Sequence, residues 1–193
     1  MPSKARKAFS DNISDVANLI DMYEGAEELF KDDEKKEDLL TGYEVSLRSA
    51  IVLIVTYWEA YIEDISDEAL RHIVKHTTAP SKLPKHLKQI VAKELKAEEN
   101  NISIWKLAGD GWRSVVTARL AELKKRRNRS FNTPKSQPTE EFIKDTLGLE
   151  NITKSWKHDK LDIKGVCKNL DAIVTVRGKI AHRGRLERSL KVD

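Results

Sequence analysis

Ser49-Ala-Ile-Val-Leu-Ile-Val-Thr-Tyr-Trp-Glu-Ala-Tyr61 is the stretch on which the fold turns. Apolar side chains recur at consecutive positions rather than at alternate ones, so a helix here is apolar on every side. Such a helix belongs at the centre of a bundle and not on its surface. Arg48 and Glu59 bracket the most apolar run, Ile51 to Trp58, at a length far below the ~20 residues of a membrane span. The run reads as a core helix and no membrane association is expected.

Outward from this centre the chain reads as helix after helix. Asp38 or Thr41 opens the long helix that contains the apolar run and lasts to about Lys75, and Asn12 or Ser14 caps an earlier helix ending near Lys31. Pro80 and Pro84 break the chain, a third helix follows to about Glu99, and a fourth runs from about Ile104 or Gly111 to Arg127. Asn128 to Pro138 reads as a loop, Thr139 to Leu147 as a short helix, and a last helix begins near Leu161. Neither strand alternation nor an internal repeat is visible. The expected fold class is all-α, an elaborated up-and-down helical bundle forming a single domain over residues 1–193.

Composition agrees with one soluble domain large enough to bury a real core. Cys167 is the single cysteine and cannot form an internal disulfide, and no apolar signal segment follows the early Lys4, Arg6 and Lys7. A cytoplasmic location is expected. No phosphate-cradling glycine loop and no nucleophile elbow appears, which removes the usual grounds for nucleotide hydrolysis or acyl transfer. Tyr57, Trp58, Tyr61, Trp105, Trp112 and Trp156 read as packing residues rather than as a platform for bases. His72 and His76 stand one turn apart with His86 nearby, but no cysteine or third ligand completes a metal site, so no metal or other cofactor is expected.

Charge is unevenly spread along a sequence whose formal net charge is +4. Eleven carboxylates lie between Asp11 and Asp38 against Lys31, Lys35 and Lys36, whereas Arg113 to Arg129 holds seven cations against Glu122. Lys124, Lys125, Arg126, Arg127 and Arg129 form a cluster able to track a phosphate backbone, and Arg183, Arg185 and Arg188 add to it near the C-terminus. A basic run at a helix end also serves the helix dipole and a solvated loop, and the sequence leaves both readings open.

The last helix carries the chemistry. Ile163, Val166, Leu170, Ile173 and Val174 recur at helical steps, and Arg177 falls on that stripe, about 20° short of two turns beyond Leu170. An unpaired cation there is costly, so Arg177 must meet a carboxylate, another subunit or a phosphate. Glu59, beside the apolar run, is a natural partner. Five residues on stands His182, the near-neutral titrating side chain, about 140° around a continuous helix. For the two to converge, either Gly178 bends the helix or a dimer supplies the missing half. The spacing alone is weak: with 12 Arg and 5 His it arises by chance roughly 0.3 times, and Arg71 to His76 repeats it.

Leu170-Asp-Ala-Ile-Val-Thr-Val-Arg-Gly-Lys-Ile-Ala-His182 resembles the closing helix of HEPN domains, in particular the prokaryotic group labelled RiboL-PSP-HEPN. Ser49 to Tyr61 is similar to that group's central helix, Phe131-Asn-Thr-Pro134 to its loop, and Leu147-Gly-Leu with Ser155-Trp156 to the stretch beyond. The resemblance spans about Ile13 to His182. It implies an all-helical domain that dimerises and, in active members, cleaves RNA without metal through the motif Arg and His. Catalysis then falls to Arg177 and His182, with Glu59 and Gly178 supporting them and Lys179, Arg183 and Arg185 joining the basic cluster on RNA. Active members usually carry Asn, Asp or His directly after the motif Arg, and this protein departs from them with Gly178.

Two functions follow as expectations. The first is a metal-independent endoribonuclease acting by 2′-hydroxyl transesterification, a homodimer in a toxin–antitoxin or antiphage setting with a neutralising partner. The alternative is a catalytically silent HEPN-like domain that binds RNA or a protein, or a plain helical adaptor. A nuclease needs Arg177 and His182; an RNA binder needs mainly the basic clusters.

Overall fold

The computed structural model describes residues 3–98, 101–119 and 133–183, and every described element is helical. In sequence order these are α1 (Lys4–Leu29), α2 (Lys36–His76), α3 (Lys85–Ala97), α4 (111–119), α5 (Ser136–Leu147) and α6 (Ile163–Arg183). Short 3-10 turns occupy Pro80–Lys82, Asn101–Leu107 and Ile152–Ser155. The fold is the all-α helical bundle that the periodicity implies.

The protein forms two compact units, Met1–Tyr61 with Lys168–Asp193, and Ile62–Cys167. In the first, α1 and the front of α2 run antiparallel. Phe9 lies 4.9 Å from Tyr61 and 6.4 Å from Trp58, while at the other end Phe30 lies 6.2 Å from Tyr43. Tyr57 donates to Asp15 at 3.3 Å between the same helices. Desolvation, then the Asp15 charge and that hydrogen bond, hold the Tyr57 phenol above its ordinary pKa. The buried side chains here include Val16, Ala26, Leu40, Ala50, Val55 and Val174.

The second unit packs Leu70, Leu83, Leu87, Val91, Leu95, Trp112, Val116, Ile143 and Leu147. Arg113 secures the end of α2 there, donating to the carbonyls of Val74 and, at 2.8 Å, Thr77, with its guanidinium 4.3 Å above the Trp112 ring. Those carbonyls have no helical partner, so the guanidinium caps the C-terminal end of the helix. Gly148 ends α5 with φ 71°, and a Cβ there would strike the Leu87 backbone. Only glycine satisfies both conditions.

Two boundaries and one degree of burial correct the sequence reading. α1 begins at Lys4, capped by Ser3, whose hydroxyl accepts from the Arg6 amide at 3.0 Å, ahead of the Asn12 and Ser14 that the sequence offers as caps. α5 begins at Ser136 and takes in Pro138, because a proline in the first turn forfeits no helical hydrogen bond. The centre of α2 is also less enclosed than expected: Ala50, Val55 and Ile62 are buried, while Ile51 to Ile54 are only half-covered. By length and composition α2 is the one helix among the described residues able to cross a membrane. Its run ends on hydrogen-bonded and ion-paired groups, Tyr57 with Asp15 and Glu59 with Arg177, as in a core helix.

Candidate functional site

α6 passes through Gly178 as uninterrupted α-helix, so Arg177 and His182 stay about 140° apart around its axis. Of the two ways to bring them together, a break at Gly178 is not the one this helix uses. Arg177 turns toward α2, where its Nη2 lies 3.8 Å from Glu59 Oε2. Both side chains are about three-quarters covered, at 24% and 27% exposure. The carboxylate that the position of Arg177 requires is therefore Glu59, in the same compact unit.

His182 lies on the opposite, exposed side. Thr175, Gly178, Lys179 and His182 sit at steps of three, one and three, which places them on one face, and together they line a shallow hollow of about 480 Å³. The Thr175 hydroxyl donates back to the Asp171 carbonyl at 2.7 Å. Gly178 leaves that face open, since a Cβ there would meet nothing within 4 Å. The glycine is required neither by backbone conformation nor by close packing among the described residues. Thr175 is absent from the residues singled out by sequence, although its spacing from Lys179 and His182 carried the signal.

The apolar stripe of α6 is only partly covered. Val174 is 2% exposed, while Ile163 and Ile173 remain 39% and 41% exposed. Ile173, Val176, Arg177 and Ile180 fall on one side of the helix, so the guanidinium emerges amid incompletely buried aliphatic side chains.

Lys124, Lys125, Arg126, Arg127, Arg129 and Arg185 lie outside the described residues, as does the Arg183 side chain. Of the predicted RNA-contacting residues, Lys179 is placed, on the His182 face. His72 and His76 stack with ring centroids 4.3 Å apart, and no set of three or more metal-ligating side chains gathers among the described residues.

The arrangement defines a class: an all-helical protein in which the closing helix presents an arginine, held by a carboxylate of the long helix, one and a half turns before an exposed histidine. More particularly, the chain belongs to the RiboL-PSP-HEPN family, whose family model matches residues 8–192. This is a HEPN-type domain family, and HEPN domains are often ribonucleases. No curated protein and no solved structure matches this sequence.

Proposed function

We propose that this protein is a metal-independent endoribonuclease that acts as a homodimer, with two copies of α6 facing each other. The observation that carries the reading is the placement of Arg177, fixed against Glu59 and flanked by the half-exposed Ile173, on the same unbroken helix as the solvent-facing His182. One copy alone points the two groups apart. A second copy of α6 is what brings an Arg177 and a His182 to one phosphate, across a cleft that the two copies share.

The chemistry needs no ion. His182 takes the proton of a ribose 2′-hydroxyl, the freed oxygen attacks the adjacent phosphorus, and the bond to the 5′-oxygen breaks. The leaving oxygen takes a proton from the partner copy's imidazolium or from water. The products are a 2′,3′-cyclic phosphate and a free 5′-hydroxyl. Arg177 carries a fixed positive charge toward the phosphorane, where negative charge accumulates, and Glu59 holds that charge in place. DNA lacks the attacking hydroxyl, so the substrate is RNA. Lys179 and the basic cluster from Lys124 to Arg129 bind its phosphates. A toxin–antitoxin or antiphage setting, with a neutralising protein that covers the cleft, matches this activity.

The test is incubation of the purified protein and its His182→Ala variant with a mixed RNA pool in excess EDTA, reading the chemistry of the product ends. Cyclic phosphate ends from the wild type alone support the nuclease. Intact RNA in the presence of a folded dimer rejects it.

Gly178 favours a second reading, an RNA- or protein-binding domain that does not cut, because active members usually place a polar side chain there. The open space beside Gly178 makes the alternative testable. The Cβ of Gly178→Asn meets no described neighbour, and cleavage that appears only in that variant identifies the wild type as a binding domain.

A further inference from the structure

A groove of about 830 Å³ lies within the second compact unit, between α3 and α4. Val91, Glu94, Leu95 and Glu98 form one wall, at the steps that share a face of α3. Gly111, Ser114, Val115, Ala118 and Arg119 form the other, and Lys106 closes an end. The space exists because α4 turns glycine, serine and alanine toward it. Gly111 has no alternative, since a Cβ there would run into the Lys106 carbonyl.

Arg119 gives this groove its chemistry. Its side chain is 5% exposed, its Nε donates to Glu94 Oε2 at 3.0 Å, and its Nη1 is buried with no hydrogen-bond partner among the described residues. A buried donor that has lost water and gained no acceptor is unfavourable, and native proteins leave few of them. The charges, by contrast, are already balanced. Glu94 answers Arg119, and Glu98 answers Lys106 at 2.9 Å. What the described residues leave the groove without is an acceptor, not a counter-ion.

We propose that the α3–α4 groove is a binding site for a small, uncharged, largely apolar molecule carrying a carbonyl-type acceptor, which takes the free Nη1 hydrogen of Arg119 while its body covers Val91, Leu95 and Val115. The volume is that of ordinary small-molecule sites, about 300–1,000 Å³. An anion gains less here than at an unpaired arginine, because two carboxylates share the walls. The site lies wholly within residues 62–167 and is independent of the nuclease reading.

Three probes of matched shape test the assignment on the full-length protein by amide-resolved NMR titration: acetophenone, ethylbenzene and benzoate. Acetophenone is expected to shift the amides of Val91, Leu95, Val115 and Ala118 and the Arg119 Nε–H signal, binding about tenfold more tightly than ethylbenzene, as one recovered hydrogen bond implies. Arg119→Met should erase that preference. Should Arg119→Met fail to fold, Ser114→Phe keeps the Arg119–Glu94 pair, fills the exposed side of the groove and should abolish binding with the rest of the spectrum unchanged. Equal affinity for acetophenone and ethylbenzene, tighter binding of benzoate, or no shift at the lining residues at millimolar probe overturns the proposal.

Discussion

Arg71 to His76 and Arg177 to His182 share one spacing, and the protein treats them in opposite ways. Arg71 is 59% exposed and folds back on its own helix, its Nε donating to Asp67 at 2.8 Å. His72 and His76 stack on each other at the end of α2. Arg177 instead leaves its helix for Glu59 on another, and His182 stands clear beside Lys179 and the open Gly178. The first pair is satisfied by neighbours in sequence; the second is held by tertiary packing and still faces outward. Spacing identifies candidates, and the source of the partner separates a site from a coincidence.

The sharpest way to break the comparison is kinetic. Arg177→Ala and His182→Ala should each lower RNA cleavage by at least ~10²-fold, the usual contribution of a positioned proton-transfer or charge-stabilising group. Arg71→Ala and His76→Ala should leave the rate within about twofold, because general catalysis requires a group in reach of the substrate. Gel-based cleavage rates for the four variants, each checked for folding by circular dichroism, decide it. An equal loss at Arg71 would place the wrong motif at the centre.

The carboxylate partners give the next largest difference, now in stability. Glu59→Gln removes the negative charge that faces a mostly covered guanidinium and should cost about 1 kcal/mol or more in urea unfolding. Asp67→Asn removes an i,i+4 pair whose arginine is mostly in water and should cost about 0.3–0.5 kcal/mol. Glu59→Gln should also slow cleavage through loss of aim at Arg177, with little change in dimerisation. Equal costs for the two substitutions would mean that Glu59 holds nothing that Asp67 does not.

How much of this contrast could be read from sequence follows from the range of the forces involved. The helical period of α6 required that Arg177 find a partner, and the apolar run of α2 placed Glu59 at its edge. Their meeting at 3.8 Å depends on how α2 and α6 pack, which no local period encodes. The same limit hid the α3–α4 groove, which needs the faces of two helices at once. The half-covered centre of α2 exposes a related limit: periodicity reports that a face is apolar and not which surface covers it. Where the signal was local the reading failed for local reasons, at the start of α1, where Asn12 and Ser14 compete with Ser3 as caps, and at Pro138 inside the first turn of α5.

Gly178 sharpens the comparison from the other direction. A mid-helix glycine with nothing within 4 Å of its missing Cβ costs stability without any return inside the protein. Gly178→Ala should raise stability by about 0.5–1 kcal/mol. Active members carry a larger side chain at this position, so the same substitution should leave cleavage within about twofold while stability rises. A loss of about tenfold or more would show that RNA comes within a methyl group of this face.

The smallest effect concerns a pair as local as that of Arg71, where pH replaces mutation as the probe. Lys144 Nζ lies 2.9 Å from Glu150 Oε1 just past the end of α5. Its hydrogen bond, then its charge, hold the Glu150 carboxyl below the usual carboxylate range, with His86 and Lys85 adding to the effect. A folded-state pKa below the unfolded one means that the unfolded state binds the proton more readily. The contribution is therefore complete above the unfolded value, about 4.3, and is lost as pH falls through the lower folded value. Glu150→Gln should accordingly lie slightly below wild type in stability at neutral pH, and the two curves should merge under acid. Because both side chains are well exposed, salt should close the same gap at neutral pH. A difference that survives both acid and salt would mean that Glu150 acts through packing, and the division between local and tertiary partners would have to be redrawn at this helix end.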